Sequence, residues 1–223
     1  MKKFALIVAG GRGKRMDNTI HKQFLELSGK PILMHTIETF YNYDKNIEII
    51  LILPEDQINS WELLCKKIPF SIKTKITAGG DTRFRSVKNG LEMIKEEGIV
   101  FIHDGVRPFV SHETIKNCEK TAIKFGNALP VIPVSESLRK LENQKSEPVD
   151  RSKFFLVQTP QTFQTHLIIN AYNQTASEEF TDDASVLEHT GATIHLVEGN
   201  RENIKITYPQ DYLVAEAFLH HKS

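Results

Sequence analysis

At 223 residues the chain is long enough for one sizeable core, and a single domain over 1–223 is expected. Its 28 Lys+Arg balance its 28 Asp+Glu and its pI is near 7.1, which excludes the one-sided positive charge of a general nucleic-acid or membrane-surface binder. No apolar run approaches the roughly 20 residues that cross a bilayer, so neither nucleic acid nor membrane is expected as a partner and any ionic site is local.

The first element is a strand over 4–9, and the apolar run behind Lys2 and Lys3 is too short for a signal peptide. It stops at Gly10, Gly11 and Gly13, whose missing side chains let the backbone turn with positive φ and bring N–H groups close to an anion. Arg12, Lys14, Arg15, His21 and Lys22 crowd this loop against Asp17 alone, a local excess that demands an anionic partner. Two familiar glycine loops fail on spacing. A dinucleotide fingerprint needs glycine where Met16 stands, and a P-loop needs Ser or Thr where Arg15 follows Lys14. What remains, AGGRGKRM at 9–16 with Lys22 beyond it, resembles the signature of nucleotidyltransferases.

Strands and helices then alternate: helix 32–43, strand 47–53, helix 56–68, strand 75–77, helix 83–96, strand 99–103 and helix 112–125. The run from Ile49 to Leu53 lacks polar alternation, as in a strand covered by helices on both faces. This order predicts a three-layer α/β fold with a mostly parallel sheet. Ligands of such sheets lie beyond the carboxyl ends of the strands, where loop 10–22, GGDTR at 79–83 and HDGVRP at 103–108 all fall. Cys65 and Cys118 are isolated on helical segments and read as buried free thiols, which suits a reducing cytoplasm.

The rhythm breaks after Val134. Residues 135–150 are polar, with turn formers at 142–146, and predict an extended β-hairpin arm bounded within 135–157. An arm leaving a compact domain cannot bury both faces alone, so a partner subunit is expected to cover it. Beyond it come helices at 165–174 and 182–189, strands at 193–197 and 204–207, and a closing helix over 209–220 opened by Pro209. The histidines at 220 and 221 read as a frayed end, not a metal site.

GGDTRFRS at 79–86, HDGVRP at 103–108, PVDR at 148–151, QTPQ at 158–161, TDDAS at 181–185 and NIKIT at 203–207 extend the resemblance over nearly the whole chain. In that order they resemble the 2-C-methyl-D-erythritol 4-phosphate cytidylyltransferases. The sister family, the D-ribitol-5-phosphate cytidylyltransferases, shares most of these blocks, but the NIKIT, VDR and TDD forms look closer to the first family. The resemblance implies a Rossmann-like nucleotidyltransferase fold, transfer of CMP from CTP to 2-C-methyl-D-erythritol 4-phosphate, a Mg²⁺ ion, and a homodimer joined by the 135–157 arm. The alternative acceptor is D-ribitol 5-phosphate. A noncatalytic nucleotide-binding protein is disfavoured because Arg15, Lys22, Arg151 and Lys205 are all present.

A phosphate monoester is already ionised near neutral pH, so attack on the α-phosphorus needs cations and in-line positioning more than a general base. By resemblance, Arg15 and Lys22 stabilise the transition state, and Arg151, Lys205, Ser137 and Thr207 position the acceptor phosphate. Asp104 sits near the nucleotide as the Mg²⁺ ligand, with Arg107 either beside it as scaffold or in the site. His103 and His21 have no proton to transfer. The nucleotide is expected to meet Ala9, Gly10, Gly11, Gly13, Gly80, Asp81, Ser86 and Gly105, where backbone groups and a hydroxyl can tell cytosine from uracil. Ser86 can also cap a helix running from Val87. The chain departs from the pattern at His21, where proline is usual, at Asp17, where glycine often follows, and at Ser137, where threonine is usual; affinity, not reaction type, is what these put in doubt.

Overall fold

The computed structural model describes residues 1–10, 24–175 and 178–220. Strands β1 (Lys2–Val8), β4 (Glu48–Leu53), β5 (Thr74–Ala78) and β6 (Gly98–Asp104) run parallel in the order β5-β4-β1-β6. All seven residues of β6 are buried, as a strand covered on both faces requires. A small pair, β2 (Glu26–Leu27) and β3 (Lys30–Pro31), precedes helix α1 (Ile32–Tyr43).

Side chains alternate across the sheet and so feed two cores. Ala5, Ile7, Ile49, Leu51, Ile99 and Phe101 face α1, α2 (Ile58–Lys67) and α4 (His112–Phe125). Phe4, Leu6, Ile50, Ile52, Val100 and Ile102 face α3 (Arg83–Leu91), α5 (Thr165–Gln174) and α6 (Asp183–Glu188). A third cluster packs Leu27, Ile32, Val106, Phe109, Ile206 and Ala215 where α7 (Pro209–His220) closes over the strand ends. The helix ends obey local chemistry: the Ser111 hydroxyl accepts the Thr114 N–H at the start of α4, and Gly126, at φ 94°, takes the left-handed conformation at its end.

The second half of the sheet departs from the sequence expectation. β7 (Asn127–Pro133) and β11 (Gln161–Gln164) were not foreseen. β11 runs antiparallel to β6 and β7, while β12 (Leu196–Glu198) runs parallel beside β7. β12 starts later than the expected 193–197: the Asn127 side chain takes the place of ladder bonds at its start, donating to the Thr193 carbonyl and accepting the His195 N–H, and backbone pairing with β7 begins where the His195 carbonyl accepts the Leu129 N–H at 2.8 Å. Residues 204–207 form no strand; the Ile206 N–H reaches the Val106 carbonyl instead. Helix α3 ends at Leu91, short of the expected 96, because Met93 and Ile94 donate to Gly90 and Leu91 in tight turns that carry Ile94 into the core.

The arm is a separate two-stranded sheet, β8 (Arg139–Glu142) and β9 (Lys145–Pro148), every strand residue exposed. Asn143 and Gln144 form its turn with positive φ, as a tight hairpin requires. The stretch Phe155–Val157, β10, belongs to the main sheet through antiparallel pairing with β7, so the free-standing hairpin is shorter than the expected arm. Among the described residues no helix is long and apolar enough to cross a membrane. Cys118 is buried, but Cys65 is only partly so, and both are free.

Candidate active site

The parallel strands deliver their carboxyl ends to one place. The Ala9 N–H continues the ladder onto the Ile52 carbonyl at 2.9 Å, and the Gly105 N–H onto Val8 at 2.9 Å. Gly10 and Gly79 end β1 and β5 on either side of the Ser86 hydroxyl; a Cβ would stand 3.4 Å from Ser86 Oγ at Gly10 and 3.0 Å at Gly79. These glycines bring two strand ends and the start of α3 together. Ser86 does not cap a helix. Thr82 does, accepting the Arg85 N–H at 3.1 Å, and Ser86 lies inside the first turn, donating to the Thr82 carbonyl at 2.9 Å and accepting the Gly80 N–H at 3.0 Å. Asp81 points outward with its side chain 92% exposed, 3.5 Å from Arg85.

Asp104, the last residue of β6, is the electrostatic centre. Its Oδ2 accepts Arg107 Nε at 3.0 Å and pairs with Lys205 Nζ at 3.1 Å. Burial alone would push the carboxyl up, but Lys205, then Arg107 and Arg83, hold it well below the usual carboxylate range. Arg107 is thereby scaffold: its NH1 also donates to the Asn203 carbonyl at 2.7 Å, tying the Asp104 turn to the segment that carries Lys205. The Thr207 hydroxyl donates to the Lys205 carbonyl at 3.2 Å, while Asp211 in the first turn of α7 accepts the Thr207 and Tyr208 N–H groups, each at 2.8 Å.

Beneath Asp104 a chain of hydrogen bonds fixes the turn. The Asp104 N–H donates to the Thr159 hydroxyl at 3.1 Å; Thr159 lies 2.9 Å from His103 Nδ1, and His103 Nε2 lies 2.9 Å from the Arg107 carbonyl. A carbonyl only accepts, so Nε2 carries the proton and Nδ1 accepts from Thr159. Burial drives the His103 pKa down to about 4, and the ring stays neutral. Asn203 Nδ2 holds the Thr159 carbonyl at 2.7 Å.

The structure therefore brings together Ala9, Gly10, Gly80, Ser86, Asp104, Gly105, Lys205 and Thr207. It leaves Ser137 and Arg151 on the arm, exposed, with the Arg151 guanidinium donating to the Ser135 carbonyl and no contact to Asp104 or Lys205 among the described residues. Gly11, Gly13, Arg15 and Lys22, with His21 and Asp17, lie outside the described residues. Gln158, Thr159, Gln161 and Asp183 lie in the motif blocks but have no role foretold by the sequence. They are the frame: Gln158 donates to the Asn200 carbonyl at 2.9 Å, and Gln161 joins β11 to the start of α6 through Asp182 at 2.9 Å and the Ala184 N–H at 2.8 Å. Gln158 follows the apolar run 154–157, the one local signal among them; Thr159, Gln161 and Asp183 sit in polar stretches where nothing marks them. Among the described residues no group of three or more His, Cys, Asp or Glu could hold a metal ion by itself.

Comparison with known proteins identifies the family. The sequence profile of the 2-C-methyl-D-erythritol 4-phosphate cytidylyltransferase family matches residues 4–221. The chain is 52% identical to the 2-C-methyl-D-erythritol 4-phosphate cytidylyltransferase of Bacteroides fragilis and 49% identical to that of Bacteroides thetaiotaomicron, in each case over 98% of this chain and 100% of the relative. Among solved structures it resembles the 4-diphosphocytidyl-2C-methyl-D-erythritol synthase of Anaerococcus prevotii (TM-score 0.84, 28% identity, 98% of both chains). It also resembles the 2-C-methyl-D-erythritol 4-phosphate cytidylyltransferase of Thermus thermophilus (TM-score 0.82, 32% identity, 99% of this chain and 100% of that one).

Proposed function

Because this chain belongs to the 2-C-methyl-D-erythritol 4-phosphate cytidylyltransferase family, we propose that its strand-end cluster is where CMP passes from CTP to 2-C-methyl-D-erythritol 4-phosphate with release of pyrophosphate. The observation that carries this reading is the convergence of a buried carboxylate, Asp104, with Lys205 and Arg107 beside the glycine ends of β1 and β5. Two polyanions must meet here, and fixed cations in a partly dry pocket lower the cost of bringing them together.

The base lies against Gly10, Gly80 and Ser86, with Ala9, Asp81 and Gly105 around it. Lys205 offers the acceptor phosphate a point charge, and its half-exposed side chain can leave Asp104 for an incoming anion. Arg15 and Lys22, which lie outside the described residues, take the transition-state-stabilising role that the family resemblance gives them. Asp104 suits Mg²⁺: both cations engage Oδ2, which leaves Oδ1 without a protein partner among the described residues, and magnesium commonly takes one or two carboxylates plus phosphate oxygens and water. When bound, the ion would neutralise triphosphate charge.

Arg151 and Ser137 serve the neighbouring subunit of a twofold dimer, Arg151 gripping the acceptor phosphate with its planar fork. Support for the dimer comes from Phe154, Phe155, Leu156 and Val157 at the base of the arm, all 44 to 51% exposed, and from Leu141 at 73%. Such an apolar surface marks an interface more often than a solvated face.

A pyrophosphate-release assay with CTP and Mg²⁺ tests the reading. Turnover is expected with 2-C-methyl-D-erythritol 4-phosphate; a higher kcat/KM for D-ribitol 5-phosphate, or CTP binding without turnover, would overturn it.

A further inference from the structure

Arg83 and Asp183 stand 100 positions apart in sequence, yet Arg83 NH1 and NH2 each donate to one Asp183 oxygen at 2.7 Å. The Tyr172 hydroxyl donates to the same carboxylate at 2.7 Å, and its ring stacks on Phe84 with centroids 4.6 Å apart. The Asp183 side chain is fully buried, whereas Arg83 keeps 30% exposure. Such a pair is a poor source of stability, because taking a carboxylate out of water consumes most of the attraction and apolar replacements are often as stable. Its position points to another use.

Arg83 is the first residue of α3, directly after the turn that carries Gly79, Gly80 and Asp81. That turn is folded so tightly onto the helix that a Cβ at Gly80 would collide with the Arg85 Cβ. Asp183 is the first residue of α6, which Gln161 pins to the sheet through Asp182 and Ala184. A two-point fork between the helix starts therefore transmits the frame of the sheet to the turn and to Ser86.

We propose that the Arg83–Asp183 pair, with Tyr172, is a specificity-determining positioning device: it fixes the tilt of the 79–86 turn so that the Ser86 hydroxyl and nearby backbone groups accept cytosine and refuse uracil. This rests on the reading that the base binds at that turn. Cytosine donates where uracil accepts, so a small rotation of the turn weakens the discrimination between them.

The test compares kcat/KM for CTP and UTP in wild type, Arg83→Lys, and the triple variant Arg83→Met, Asp183→Leu, Tyr172→Phe. Arg83→Lys keeps the positive charge felt by Asp104 but loses the fork. The triple variant replaces the buried charges with apolar groups and should melt near wild type. In both, the CTP-over-UTP ratio is expected to fall about tenfold or more, mainly through the CTP KM, while the acceptor KM moves less than about threefold. A folded variant that keeps the ratio within about twofold of wild type overturns the proposal, and if the triple variant does not fold, Arg83→Lys alone decides. A wild-type enzyme that used UTP as well as CTP would instead remove the reading on which the proposal stands.

Discussion

His103 is wholly buried, and its neutral ring joins the Thr159 hydroxyl to the Arg107 carbonyl, so protonation would break a bond that holds the Asp104 turn. Its pKa is pressed from the ordinary 6.5 to about 4, chiefly by burial. The unfolded chain therefore binds this proton first as pH falls, and the residue's contribution is intact above about pH 6.5 and lost between there and about pH 4. At pH 5 that loss should be on the order of 2 kcal/mol relative to pH 8. Urea unfolding at both values should show a smaller drop for His103→Gln than for wild type; equal drops would remove the claim. Asp104 acts lower on the scale, its stabilisation present above the usual carboxylate range and lost only as pH falls below it. At this scale the sequence revealed residues whose neighbours along the chain announce them, such as Gly10 after a strand and Asp104 at an apolar run's end. It hid residues whose partners are remote, because a lone Thr159 or Asp183 carries no mark of the His103 or Arg83 it will meet.

Helix α3 rests on the sheet through Gly90, where an added Cβ would stand 2.5 Å from Leu6 Cδ1 and 2.7 Å from Ile52 Cδ1. Both neighbours are fully buried and have no room to yield. Alanine would gain about 1 kcal/mol of helix propensity, but overpacking costs about 1–3 kcal/mol, so Gly90→Ala should destabilise by about 1 kcal/mol; a variant more stable in urea would contradict this. Elements with strong periodicity were legible: α1, α4, α5 and α7 occupy the residues expected of them. β7 was not, because Pro130 and Pro133 argue against an interior strand, and β7 accommodates them by taking different partners along its length. β11 was missed because it is short and polar at both ends, Gln161 and Gln164, and is made a strand by β6 and β7 on its two sides.

At the scale of the whole molecule, each active site of the proposed dimer combines Lys205 of one subunit with Arg151 of the other. Mixing inactive Lys205→Met and Arg151→Ala proteins, with subunit exchange verified, would place both lesions in one site of each hybrid and leave the other site intact. Random pairing makes about half the dimers hybrids, so activity should recover to roughly a quarter of wild type. No recovery would mean that the arm serves its own chain. The layered fold followed from the alternation of strands and helices, and the arm from its polarity. The closure of α7 over the strand ends did not, because it depends on Ile206 and Ala215 meeting Leu27 and Val106 across the chain. Whether chemistry occurs at these strand ends is measured most directly by acceptor kcat/KM for Lys205→Met with 2-C-methyl-D-erythritol 4-phosphate at saturating CTP. Lys205 is half exposed, and Asp104 keeps Arg107 when it is removed, so folding should persist. A loss of about 100-fold or more is predicted in a variant that still unfolds cooperatively, its melting temperature lowered because Asp104 loses one of its two cations; a value within about threefold of wild type would place the reaction elsewhere.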